Sequence, residues 1–246
     1  MGVQVVAKGV NAEDYAVEYA APVRRGLEGI FFTNTSLEKC AHNYAPGKKS
    51  GSVVGAPSVN SQYMSGRSSV NYVQTDIVET EEMTFFIIAR ALNLPSGNPI
   101  PAADQVILLG NYLAGPWSGV VMWCGTSTSL STNAGYGVDE ASNANLGAGV
   151  TPNDDTKWGL YCGRVKTSGP DTKNFTNGLT FARVATDPRR VSTGRPLRIG
   201  SGYQSNQTGT WDMAAALIYN VALNDAERDV VAQDLRAYAA RRGITV

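Results

Sequence analysis

The stretch Arg195-Pro196-Leu197-Arg198-Ile199-Gly200, followed by Trp211-Asp212-Met213-Ala214-Ala215-Ala216-Leu217-Ile218-Tyr219-Asn220 and then Val221-Ala222-Leu223-Asn224-Asp225-Ala226-Glu227-Arg228, decides the fold. The first piece reads as a short strand closed by a glycine turn. The second is a long apolar strand. In the third, Asn224 stands as an N-cap with Glu227 three residues on, a pair that satisfies free backbone N–H groups at a helix start. Apolar Ala226, Val230, Val231, Leu235, Tyr238 and Ala239 recur at helical spacing and are expected on one face. Asp225, Glu227 and Asp229 sit at the positive end of the helix dipole, Arg236, Arg241 and Arg242 at the negative end, and Gly243 is a natural stop.

Upstream, Leu27 to Thr33 reads as a strand centred on Ile30-Phe31-Phe32. Turn residues punctuate Asn43-Tyr44-Ala45-Pro46-Gly47-Lys48-Lys49-Ser50-Gly51-Ser52-Val53-Val54-Gly55-Ala56-Pro57 around a short strand at 52–54, and another is expected at 70–73. Met83 to Leu92 is apolar on both faces, so both should be covered. A proline-rich loop at 93–104 precedes strands at 105–110 and 119–124. Residues 125–155, crowded with Ser, Thr, Asn and Gly, promise only weak strands around Tyr136, and 158–166 and 179–186 complete the strands before 197–199. Residues 1–26 read as an N-terminal arm, with a strand at 3–7 and a short helix capped at 11–14 running through Tyr19. Residues 27–246 form one domain.

The closing strand, loop, strand and capped helix resemble the end of laminin-G-like jelly-roll domains of the concanavalin A-like lectin and glucanase fold. The segment at 43–57 is similar to the opening of jelly-roll domains in bacteriophage and prophage tail proteins. The resemblance covers roughly residues 27–242. It implies an antiparallel β-sandwich of jelly-roll, laminin-G-like type with a C-terminal α-helix, in an all-β chain. It also implies a non-catalytic virion protein of a tail or decoration structure, made in the host cytoplasm. Its expected partners are other virion proteins or a host surface polysaccharide, in a homo-oligomer that is trimeric by analogy with tail fibres. A purely structural assembly role and a glycan-cleaving role are the alternatives.

Bulk properties narrow these readings. The chain has 246 residues with 26 glycines, a turn-rich β texture. With 21 basic and 21 acidic residues, it has no general electrostatic grip on nucleic acid or anionic lipid. No apolar secretory h-region is visible, no stretch has the length of a membrane span, and Val6 stands where a myristoylation signal needs Ser or Thr. Cys40, Cys124 and Cys162 are odd in number and widely spaced, so buried free thiols are expected.

Chemistry finds little purchase. Retaining glucanases of this fold set two carboxylates on one strand as Glu-x-Asp-x-x-Glu. Here Glu79-Thr80-Glu81-Glu82-Met83-Thr84 puts Glu81 at the Asp position and Thr84 at the second Glu, and the cluster reads as a solvated strand entrance. An enzyme would need distant carboxylates such as Asp139 and Asp154 to converge. His42, the single histidine, has no nucleophile elbow to serve, and Cys40 with His42 offers at most two zinc ligands. No cofactor is expected, calcium excepted: its candidate ligands are Asp154 and Asp155, beside Asn153, and the pair Asp139 and Glu140. For a sugar ligand, which stacks on rings and hydrogen-bonds at their edges, the candidate set is Asn111, Tyr112, Trp117, Tyr136 and Asp139. Trp123, Trp158 and Trp211 are expected in the core.

Overall fold

The structure, a computed structural model, describes residues 15–115, 117–151 and 153–246. The strand expected at 3–7 and the helix cap at 11–14 lie outside the described residues. Residues 16–21 are not helical. They run along the chain's own sandwich, where the Tyr19 backbone N–H donates to Tyr44 O at 2.8 Å and its phenol donates to Asp234.

The strands in chain order are β1 (Leu27–Phe32), β2 (Ser52–Val54), β3 (Ser58–Val59), β4 (Met64–Arg67), β5 (Tyr72–Gln74), β6 (Met83–Leu92), β7 (Val106–Gly110), β8 (Val120–Thr126), β9 (Ser129–Tyr136), β10 (Ala144–Val150), β11 (Gly159–Val165), β12 (Asp171–Asn174), β13 (Thr180–Ala182), β14 (Arg198–Ile199) and β15 (Thr210–Tyr219). Helix α1 (Leu37–Ala41) follows β1, and α2 (Asp225–Arg241) follows β15. One sheet runs β13-β12-β11-β6-β15-β4-β3, with β1 also on β15; the other runs β10-β9-β8-β7-β14-β5-β2. Every pairing is antiparallel. The fold is therefore an antiparallel β-sandwich with a C-terminal helix.

Strand β6 shows why its sequence is apolar throughout. Phe85, Ile87, Ala89 and Ala91 enter the core between the sheets, whereas Phe86 and Ile88 pack under α2. Strand β15 alternates likewise until a bulge between Met213 and Ala215 shifts its register. Trp211 and Met213 face inward before the bulge, Ala216 and Ile218 after it. One extra residue flips the parity of everything beyond it. Trp211 lies fully buried, its indole N–H donating to Gly200 O at 2.9 Å. A Cβ on Gly200 would sit 2.2 Å from that ring, and one on Gly66 2.4 Å, so both glycines make room for it.

The capping box of α2 is complete, and Gly243 follows the C-cap at φ 71°. The helix face differs from expectation. Ala226 and Val230 are exposed, and the buried stripe is Arg228, Val231, Ala232, Leu235, Tyr238 and Ala239. Arg228 belongs to it because buried Asp171 on β12 needs countercharge, which Arg228, Arg164 and Lys166 supply at 2.9, 2.9 and 2.7 Å. Residues 125–155 form two full strands, β9 and β10, where weak ones were expected, and β3, β4, β12 and α1 are additional. The three cysteines are free and buried.

Candidate binding surfaces

Antiparallel pairing sorts the loops into two groups. Leu27 and Thr84 both pair with Tyr219, and Arg198 pairs with both Gly110 and Gln74, so these ends meet where residues 75–82 cross from β5 to β6. We call this the crossing end. Leu92, Thr210 and Arg67 mark the opposite end.

All five residues of the sequence-derived sugar set lie at the crossing end, but most are structural. Asn111 is fully buried; its amide donates to Glu79 at 2.8 Å and to Arg195 O at 3.1 Å, and its oxygen accepts from Val120 N. Tyr136 is also buried, donating to Lys166 O at 2.7 Å, and burial pushes its phenol up to about 12. Tyr112 is half-buried, its phenol likewise raised by burial, and its carbonyl accepts from Tyr203 N. Trp117, at φ 52°, has the Arg190 guanidinium 5.3 Å from its ring centre. Asp139 is exposed and closes a turn on Ser142, whose backbone N–H holds its carboxyl below the usual range.

Glu79 corrects the reading of 79–84 as solvated. Its carboxylate is buried and accepts from Arg189, Asn111 Nδ2 and Ser192 N. On the outer side of the same segment, a cavity of about 310 Å³ is lined by Glu28, Lys48, Lys49, Asp76, Thr80 and Asn220 among others. Its charges are spent on one another, Lys48 on Glu28 and Lys49 on Asp76. His42 is a tie between loops, its Nε2–H donating to Val17 O at 2.8 Å and its Nδ1 accepting from Ser50.

Asp154 and Asp155 lie at the opposite end from Asp139, since their segment leads into Gly159, which pairs with Ala89. The carboxylates proposed for an enzyme therefore do not converge. Nor do these residues fit a calcium ion. Asp154 turns outward to Thr156 and Lys157, while Asp155 is buried and accepts from Asn153. Among the described residues no group of three His, Cys, Asp or Glu could hold a metal. Burial raises the Asp155 carboxyl to about 7.

The face of the β6 sheet that α2 only half covers holds a second surface, which sequence reasoning missed. Beyond Phe86 and Ile88, the outward positions of β6 are Arg90 and Leu92. Register sets them beside Asp212 and Thr210 of β15, which in turn neighbour Ser65 and Arg67 of β4. Two cross-strand rows result, Ser65–Asp212–Arg90 and Arg67–Thr210–Leu92, about 7 Å apart along the strands. Asp212 accepts from Ser65 at 2.6 Å and from Arg90 Nε at 2.8 Å. Half-buried Tyr63 and Trp158 flank the first row, ring centres 5.3 Å apart and tilted by 59°, with the Arg90 guanidinium 5.7 and 5.1 Å from them. The second row opens into a cavity of about 270 Å³ that adds Asn93, Ala103, Asp104, Thr208 and Gly209. Arg67 is steered into place by Thr208, to whose O and Oγ1 it donates at 2.9 and 3.0 Å. Among the described residues the Tyr63 hydroxyl, the Trp158 indole N–H, the Asp104 carboxylate and the Asn93 side-chain amide have no hydrogen-bond partner. Trp158 is thus half-buried, packed against the margin of the core beneath α2, whereas Trp123 lies outside the core, half-buried with its indole N–H on Asn133.

No protein-family model matches the sequence, and no curated protein matches it. Solved structures do. The binding domain of botulinum neurotoxin DC in complex with rat synaptotagmin II superposes with a TM-score of 0.62 at 11% identity, covering 87% of this chain and 52% of that one. The same domain in complex with SialylT gives 0.60 at 11%, covering 86% and 52%. A botulinum neurotoxin type C structure, described by cell entry dependent on two ganglioside molecules, gives 0.60 at 10%, covering 85% and 51%. The likeness is one of fold, a β-sandwich found in receptor-binding domains. The chain spans about half the length of these neighbours.

Proposed function

We propose that this chain is a non-catalytic, lectin-like binding module of a bacteriophage tail or decoration structure, located in the virion. The observation that carries the binding role is the open half-face of the β6 sheet, where two aromatic rings and unpaired polar groups surround an ion pair. Paired groups such as Lys48–Glu28 or Glu79–Arg189 are engaged in holding the fold, whereas Tyr63, Trp158, Asp104 and Asn93 keep hydrogen-bonding capacity for a ligand. Sandwich neighbours whose descriptions name SialylT, gangliosides and synaptotagmin support a receptor-binding reading. The fold alone hosts many functions, so the site and not the likeness carries the argument.

A second reading, contact with neighbouring virion subunits, is favoured by the β13 edge. Thr180, Phe181 and Ala182 are all exposed there, followed by Val184 at 81% exposure. An open edge strand with apolar side chains is a template for pairing with another chain. Particles separated on a density gradient should carry the chain, and its Trp158→Ala variant should lose attachment to host cells. Absence from particles overturns the virion assignment, and undiminished attachment overturns the binding face. Light scattering that shows an oligomer broken by Phe181→Asp would support the subunit-contact reading.

A further inference from the structure

We infer that the open face binds a neutral oligosaccharide of at least two sugar units, laid along β15 across the two cross-strand rows. The inference rests on reading this face as the binding surface and names its ligand.

Three features of the face point to a sugar. First, Tyr63 and Trp158 offer apolar ring surface with polar edges, matching the C–H faces and equatorial hydroxyls of a pyranose. Their hydroxyl and indole N–H have no partner of their own among the described residues. Second, the hydrogen-bonding groups are the kinds that bind vicinal hydroxyls. Asp104 accepts, Arg90 and Arg67 donate through their exposed edges, and the Asn93 amide does both, while buried Asp212 holds Arg90 in place from beneath. Third, the charges balance. Arg67 and Arg90 are matched in number by Asp104 and Asp212, so no net field selects an anion or a cation.

The geometry also sets the length. The cavity of about 270 Å³ lies near the lower end of small-molecule pockets, roughly 300 Å³, so it suits one sugar ring. The aromatic pair lies beside the other row, about 7 Å away along the strands. A ring stacked on Trp158 therefore leads a linked neighbour into the recess formed by Arg67, Asn93 and Asp104. Helix α2 closes the other direction. Its C-terminal end is fixed to the β3–β4 turn, where Gln62 donates to Arg242 O at 2.7 Å and Arg242 donates to Ser61 O at 2.6 Å.

The test is a titration of the full chain with methyl glucoside, methyl galactoside, maltotriose, cellotriose and chitotriose, followed by the indole N–H resonances in NMR. A trisaccharide should shift the Trp158 resonance and leave that of Trp117 in place, and should bind at least about tenfold more tightly than any monosaccharide. Asp104→Asn, at a carboxylate with no protein partner among the described residues, should weaken trisaccharide binding about fivefold to tenfold while leaving the unfolding midpoint unchanged; Arg67→Gln should weaken it as much, with a small drop in the midpoint from the lost bonds to Thr208. Silence from the whole panel, a shift confined to Trp117, or equal affinity for mono- and trisaccharides overturns the proposal. If the panel is silent but cell attachment still needs Trp158, the ligand class is wrong and the binding face stands. If attachment ignores Trp158, the face itself is wrong.

Discussion

Glu79 and Arg189 form an ion pair whose side chains are 0% and 1% exposed, at the crossing end of the sandwich. Glu79 belongs to the segment that carries the chain from one sheet to the other. Arg189 belongs to the long connection from β13 to β14, and also donates to Gly135 O at 2.9 Å. The pair fastens that connection to the end of the core.

Breaking it from one side should be costly, because the remaining charge stays buried. Glu79→Gln and Arg189→Met should each lose about 3–5 kcal/mol of unfolding free energy. The double variant should lose less than the sum. Urea denaturation of the four proteins measures this directly, and full additivity would show that the two side chains act independently.

Asp155 gives the chain a pH dependence of unusual sign. Its folded-state pKa of about 7 lies above that of an unfolded aspartate, about 4, because burial penalises the charged form. The folded state then holds the proton more tightly. This group's stabilisation is complete below about pH 4, declines as pH rises towards 7, and is lost above that. The slope should approach 1.4 kcal/mol per pH unit. Asp139, Asp154, Asp225 and Glu227 are shifted downward by hydrogen bonds and nearby cations, and act below this window. Asp155→Asn should flatten the melting temperature between pH 5 and about 7; an unchanged slope would assign it to other groups.

Gly200 carries two constraints, a φ of 84° and a Trp211 ring against its α-carbon. Gly200→Ala should therefore destabilise by about 2–4 kcal/mol, from left-handed strain plus overpacking. Gly178, also at positive φ but with open space around it, should lose only about 1 kcal/mol on the same change. Equal losses at the two sites would remove the packing argument.

The α2 cap offers a smaller effect. Asn224 Oδ1 accepts from Glu227 N, and Glu227 accepts in return from Asn224 N, both at 2.9 Å. Asn224→Ala should cost about 1 kcal/mol, and Asn224→Ser should recover most of it. Thermal melts followed by circular dichroism would measure both.

Much of this architecture could be read directly from residues. The limits of β6 match expectation because ten consecutive residues suit a strand covered on both faces. Strand β10 was hidden because its pairing tolerates few large side chains: a Cβ at Gly147 would meet the Asn133 amide at 2.7 Å. The sugar set fails because loop position does not guarantee exposure. Asn111 and Tyr136 close the crossing end from inside. The better signal lay in the strands themselves. Arg90 is the lone charge in β6 and Asp212 the lone charge in β15, and their register pairing marks where the helix stops covering the sheet. Tyr63 and Trp158 reach that place from turns distant in sequence, so no local pattern joins them.

The most direct test of the binding face is a glycan microarray probed in parallel with the fluorescently labelled chain and its Trp158→Ala variant. If this face binds sugar, the parent chain binds a defined set of neutral oligosaccharides without cleaving them, and the variant loses that set. Equal binding by the two proteins, or hydrolysis of the bound glycans, would contradict it.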